Sequence, residues 1–187
     1  LAALIFGDAN PSGKLPMTFP VSQAKTPIQT LRQYPGVDGK VWYDESINIG
    51  YAGYEALGIT PRFPFGFGLS YTSFAYRDLE VNDQGDRVDL RVTIENTGPR
   101  AGAETVQLYA VLNYPSGPRK RLVDFCKVGL EPGESRVVTL SIRKSSAERP
   151  LDLWTPGKGW QQAPGDIGLL IGASVQDIRL TTQLAPR

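Results

Sequence analysis

The residues best suited to chemistry stand together in VWYDES, residues 41–46. Asp44 and Glu45 are adjacent carboxylates, able to accept hydrogen bonds from a polyol or to exchange a proton. Trp42 and Tyr43 precede them, and an aromatic face suits the apolar C–H face of a pyranose. These four residues form a candidate substrate-binding set. The plainer alternative is a pair of junction carboxylates held by lysine or arginine. The other two indoles, Trp154 and Trp160 in LDLWTPGKGW, fit core tryptophans or strand-end plugs better than a platform.

GDANPSGKLP, residues 7–16, offers a second chemistry. A phosphate-binding loop has a shorter gap between its glycines and a hydroxyl after the lysine to hold magnesium. Five residues separate Gly7 from Gly13, and Leu15 follows Lys14, so spacing and side chain both reject that reading. Asp8 and Asn10 are expected to cap and turn the chain, with Asp8 accepting from backbone N–H groups, while Gly13 relaxes the backbone. Lys14 is left to pair or to snorkel.

The chain has no histidine, which removes Ser-His and Cys-His nucleophile systems and the commonest zinc sites. Its single cysteine, Cys126 in VDFCKVGL, permits no internal disulfide and reads as a small buried hydrophobe on a strand. No metal site and no cofactor is expected. Glu55 and Glu104 fit solvent-facing positions. Arg119-Lys120-Arg121 is the only basic run and reads as a solvated loop beside Pro118. With 20 Lys+Arg against 19 Asp+Glu, a net charge of +1 gives no reason to expect nucleic acid or a membrane as partner.

The elements that must position these residues fall into two textures. A length of 187 residues suits one domain, or one domain with a substantial extra piece, and 41% hydrophobic content is that of a soluble globular protein. Residues 1–70 are loop-rich and broken by prolines. MTFP reads as a short strand and VWYDESINIGY as a strand or short helix, with too little periodicity for an independent core. The first residue is leucine and the only methionine is Met17, so the chain is expected to begin inside a domain, with LAALIF as helix turns stopped at Gly7.

From Phe74 the pattern has period two. Val88, Leu90, Val92 and Ile94 alternate with polar residues, and Val106, Leu108 and Ala110 do the same after the NTGPRAG turn. RLVDFCKVGL, SRVVTLSIR, LDLW, DIGLLIGAS and IRLTTQL complete about seven short strands, the pattern of an immunoglobulin-like antiparallel sandwich. Without a cysteine pair, a fibronectin type III-like variant fits best. RFPFGFGLSYTSFAY lies between the two textures, and its aromatics are expected to be buried in a rigid junction.

GDANPSGKLPMTFP, YDESINIGYAGYE, PRFPFGFGLSYTSFAY and IENTGPRAGAETVQLY occur in the order seen near the end of family 3 glycoside hydrolases. These are mainly β-glucosidases, and the chain resembles them over nearly its whole length. The resemblance implies a mainly β fold, in which a fibronectin type III-like antiparallel β-sandwich (residues 71–187) follows the loop-rich terminal part of an α/β-sandwich domain (residues 1–70). Three departures stand out: Phe67 where the family's aromatic motif has histidine, Ser46 for a glycine and Ala52 for an arginine.

Retaining glycoside hydrolysis needs two carboxyl groups about 5–5.5 Å apart. The family holds its aspartate nucleophile on a (β/α) barrel and its glutamate acid/base on a loop upstream of NPSGKLP. Neither motif occurs here, so the resemblance implies that this chain supplies no catalytic residue. The expected role is structural, framing an active site completed by the barrel and the remaining α/β domain, with β-linked glucosides or oligosaccharides as substrate. Domain order can be permuted in such proteins. The alternatives are a stand-alone carbohydrate-binding or interaction module, and part of a β-xylosidase or β-N-acetylglucosaminidase. The compartment is open, with a slight preference for an extracellular or periplasmic location.

Overall fold

The computed structural model describes residues 1–185, so the last two positions of the span 71–187 lie outside the described residues. Alternating apolar residues produce the sandwich directly. β1 (Phe74–Asp83), β2 (Arg87–Asn96) and β5 (Ser135–Arg143) form one antiparallel sheet in the order β1-β2-β5. β3 (Gly102–Tyr114), β4 (Gly117–Leu130), β8 (Ile167–Gly172) and β9 (Ile178–Leu184) form the second, in the order β4-β3-β8-β9. Successive side chains of a strand face opposite ways, so Val88, Leu90, Val92 and Ile94 of β2 meet Val106, Leu108, Ala110 and Leu112 of β3 in one fully buried core. The third sheet is a hairpin, β6 (Asp152–Thr155) with β7 (Gly159–Gln162). β7 is a strand that the sequence reading did not identify.

One buried amide locks the corner where the chain crosses from β2 to β3. Asn96 Nδ2 donates to the carbonyls of Arg100 and Leu130 at 2.7 and 3.1 Å. Its Oδ1 accepts from Thr72 Oγ1 at 2.5 Å and from the Gly98 N–H at 3.2 Å. Both donors and both acceptor sites of the amide are therefore used, as full burial requires.

Residues 1–71 lie across the outer face of the β4-β3-β8-β9 sheet. Gln107 and Tyr109 of β3, on the side opposite the sandwich core, are consequently buried too. Gln107 Nε2 donates to the carbonyls of Gly66 and Ala173 at 3.2 and 2.7 Å, and Tyr109 donates its hydroxyl proton to Gln107 Oε1 at 2.5 Å. Gly66, at φ +80°, has to be glycine here: a Cβ would collide with Gln107 Oε1. Leu15–Phe19 runs beside Phe63–Phe67, tied by Leu15 N–H to Phe67 O and Gly66 N–H to Leu15 O, both at 2.8 Å, and by a bridge from Phe19 to Phe63. MTFP is thus a single bridge rather than a strand. The segment's α-helices are α1 (Ala2–Ile5), followed by Gly7 at φ +83°, and α2 (Gly50–Ala56), which takes up only the last two residues of VWYDESINIGY.

Several sequence expectations are corrected by position. Arg119-Lys120-Arg121 is not a solvated loop. It lies within β4, and all three residues are half-buried under the first segment. Glu104 is not solvent-facing: it shares the parity of Val106 and Leu108, is buried at the end of the core, and pairs with Lys14 at 2.8 Å. Glu55 on α2 pairs with Lys120 at 2.7 Å. Asp8 is exposed, and Asn10 is the residue that ties the turn, accepting from the Tyr71 N–H at 2.8 Å and donating to Ala101 O at 2.9 Å. Trp154 and Trp160 are surface residues rather than core residues or plugs. The junction aromatics are only partly covered: Phe65 stacks on Tyr51 with centroids 4.9 Å apart, whereas Phe63 and Tyr71 remain exposed. Cys126 is half-buried against the core.

Candidate functional site

The four residues singled out in VWYDES follow one another along a turn but do not converge. Arg32 sets the arrangement. Its guanidinium lies 4.6 Å from the Trp42 ring centroid and its Nε is 3.1 Å from Asp44 Oδ2. One face of the indole and one carboxylate are thereby occupied by the same cation. Both partners of the ion pair are about half exposed, so the bridge holds geometry more than it adds stability. Tyr43 is 82% exposed, and its ring stands in solvent.

Glu45 is held from the other side. Gln33 Oε1 accepts from the backbone N–H groups of Gln29 and Thr30 at 2.9 and 3.1 Å, which leaves its Nε2 to donate to Glu45 Oε2 at 3.1 Å. Asp44 and Glu45 line one open recess of about 260 Å³ together with Thr30, Gln33 and Asn48. The recess offers carboxylate and amide acceptors to a polyol. Asp44 meets the arginine expected of a junction carboxylate, and Glu45 meets an amide instead.

A larger concavity lies elsewhere, between α2 and β4. It encloses about 740 Å³ and is lined by Tyr51, Tyr54, Phe65, Tyr114 and the stems of Lys120 and Arg121. Ser46 and Ala52, two of the three departures from the family pattern, also line it. Its cations are committed within the fold. Arg119 Nε donates to Asn48 Oδ1 at 2.7 Å, Lys120 Nζ to Glu55 Oε1 at 2.7 Å and Val175 O at 2.9 Å, and Arg121 Nη2 to the Tyr114 hydroxyl at 2.8 Å. Tyr51 accepts from the Leu122 N–H at 3.0 Å, and burial pushes its phenol above the ordinary tyrosine range. Burial raises Tyr76 and Tyr109 further still, so none of these phenols supplies a phenolate at neutral pH. Among the described residues no carboxylate lines this cavity. Among the described residues no group of His, Cys, Asp and Glu could hold a metal ion, and no helix is long and apolar enough to cross a membrane.

Sequence reasoning missed the basic run of β4 as the tie between the two regions. The available signal was its place before LVDFCKVGL, close enough to continue the same strand. It also missed the exposure of Trp154 and Trp160. Their near-symmetric placement about TPGKG was the clue, because a hairpin turn there makes them cross-strand partners.

Comparison with known proteins agrees with this architecture. Residues 1–71 match the family model of the glycosyl hydrolase family 3 C-terminal domain, and residues 104–175 match the fibronectin type III-like domain. The chain is 42% identical to thermostable beta-glucosidase B of Acetivibrio thermocellus, across 96% of this chain and 24% of that protein. It is 40% identical to probable beta-glucosidase I of Emericella nidulans, across 88% of this chain and 21% of that protein. Among solved structures, DesR, a beta-glucosidase from Streptomyces venezuelae in complex with D-glucose, superposes with a TM-score of 0.91 at 35% identity, over 100% of this chain and 24% of that one. Beta-glucosidase 3B from Thermotoga neapolitana gives 0.86 at 38% identity, over 98% of this chain and 26% of that one. The chain therefore spans about a quarter of the length of the relatives it matches. With both family models met in order and the whole fold reproduced, the chain belongs to glycoside hydrolase family 3, as that family's C-terminal domain region joined to a fibronectin type III-like sandwich.

Proposed function

We propose that this chain is part of a β-glucosidase that hydrolyses terminal β-D-glucosides with retention, and that the two catalytic carboxylates lie outside it. The chain orders the edge of the α/β domain and helps frame the active site, and its partners are the remaining α/β domain and the barrel of the same enzyme. One observation carries the reading: a match along the entire chain to β-glucosidases, of which it spans only about a quarter. The uncovered apolar residues of the first segment support it, since Leu1, Ile5, Phe6, Leu31 and Leu69 are all largely exposed. A surface of that kind belongs against another part of a protein. The exposure also counts against a stand-alone module, which would have to keep these side chains in water.

The test compares the purified 187-residue chain with the complete protein on aryl β-glucosides, with aryl β-xylosides and β-N-acetylglucosaminides in parallel. The expected result is no turnover by the chain and retaining turnover of the glucoside by the complete protein. Retaining hydrolysis by the chain alone would place the carboxylates within it and overturn the proposal. Preference of the complete protein for xyloside or N-acetylglucosaminide would replace the substrate.

A further inference from the structure

Trp154 and Trp160 are direct cross-strand partners on the β6–β7 hairpin, with ring centroids 5.6 Å apart and planes at 74°. They are 59% and 43% exposed, whereas the neighbouring Leu151, Leu153 and Ala163 are buried in the sandwich core. The hairpin is therefore anchored by one face and presents both indoles on the other. Its base is fixed as well: Arg121 Nη1 donates to the carbonyls of Arg149, Pro150 and Asp152 at 3.0, 3.2 and 3.0 Å.

The chemistry of this corner suits a hydroxyl-bearing ring. Beside it, Arg149, 5.9 Å from the Trp160 ring, is ion-paired with Asp152 at 3.2 Å, and Lys158 stands exposed in the turn between the two strands. Neither indole N–H meets an acceptor among the described residues. Two aromatic faces at nearly a right angle do not make a flat strip for an apolar helix. They do make a corner in which a pyranose can lay its C–H face on one ring and direct an equatorial hydroxyl to an indole N–H.

We infer that the Trp154–Trp160 corner is a sugar-binding subsite on the sandwich, taking one glucosyl unit of a β-linked glucan chain. The inference rests on the proposed β-glucosidase reading for its choice of sugar. The test is native affinity electrophoresis of the complete protein through gels containing soluble mixed-linkage β-glucan, with Trp154→Ala, Trp160→Ala and Trp154→Phe alongside and aryl β-glucoside turnover measured on each. The expected result is retardation of the wild type, weakened about five-fold or more by either alanine variant and largely kept by Trp154→Phe, with turnover unchanged. Equal retardation of wild type and alanine variants, or no retardation of the wild type, overturns the subsite. Alanine variants that lose turnover and thermal stability together would show the pair packing against another domain, and overturn it as well. Absence of aryl β-glucoside turnover in a retarded wild type would instead count against the hydrolase reading and leave the subsite standing.

Discussion

Glu104→Gln should weaken the tie between the first segment and the sandwich, because Lys14 reaches across the junction to that one carboxylate at 2.8 Å. The side chains are 15% and 8% exposed, so water screens the pair only slightly. At an effective dielectric of about 20, two unit charges at this separation attract by ~6 kcal/mol, and desolvation of both ions offsets much of that. Removing one partner leaves the other charge under-solvated, and this costs ~3 kcal/mol where the pair is fully buried. The remaining exposure of Lys14 brings the expectation for Glu104→Gln to ~2 kcal/mol, and the Tyr76 hydroxyl, which donates to Glu104 Oε1 at 3.2 Å, keeps an acceptor in the glutamine. The assay is urea unfolding of wild type, Lys14→Met, Glu104→Gln and the double variant. Each single change should lower the midpoint with an unchanged slope. The double variant should lose less than the two singles together, with a coupling of ~1.5 kcal/mol. A coupling below ~0.5 kcal/mol would mean that the pair behaves as a solvated surface bridge, and the electrostatic tie between the regions would be refuted.

Two further outcomes follow from the sandwich itself. Asn96→Ala removes a buried amide that satisfies four partners at the β2–β3 corner, and should cost about 2–4 kcal/mol, read as a fall in melting temperature of about 2–4 °C per kcal/mol; a fall of less than ~2 °C would show that water replaces the amide. Acid should weaken the sheets in a definite direction. The Ser141 hydroxyl and then Arg87 hold the Asp89 carboxyl below its ordinary range, and the Glu131 N–H and then Arg136 do the same for Glu134. Carboxyls depressed in the folded state stabilise it above the unfolded value of about 4, and that contribution is lost as pH falls through the lower folded values. Melting temperatures measured across this range should therefore fall less steeply for Asp89→Asn than for wild type, and identical slopes would remove Asp89 from the account.

The parts of the fold that were legible in the sequence are those governed by local periodicity. RVDLRVTIE alternates strictly, and each of its apolar residues is fully buried in β2. Glu104 was legible by the same rule, since it shares parity with Val106, Leu108 and Ala110; its charge suggested solvent, but a lysine from far along the chain made burial tolerable. No local signal carries that pairing. The basic run of β4 is the same case, with Asn48, Glu55 and Val175 O as its partners. In VWYDES the residue types were right for binding a polyol, but convergence depends on Arg32 and Gln33, which lie a turn away and draw Asp44 and Glu45 to different neighbours.

These polar ties also determine which region orders the other. The hydrophobic core consists entirely of residues from β1 onward, and in the first segment Tyr54 is the one large buried apolar side chain among the described residues. A segment without its own core cannot offset the conformational entropy of ordering about seventy residues by burial within itself. What holds it is the outer face of β3 and β4: Gln107 on the Gly66 carbonyl, Lys120 on Glu55, Arg119 on Asn48, and Tyr51 over Tyr109 with centroids 6.2 Å apart. The sandwich thus acts as the template and the first segment as a layer moulded onto it. This layer leaves Leu1, Ile5, Phe6, Leu31 and Leu69 largely exposed. A fibronectin type III-like domain in this setting works as a mould for the edge of its neighbour, which explains why its outer sheet face is as fully buried as its core at Gln107 and Tyr109.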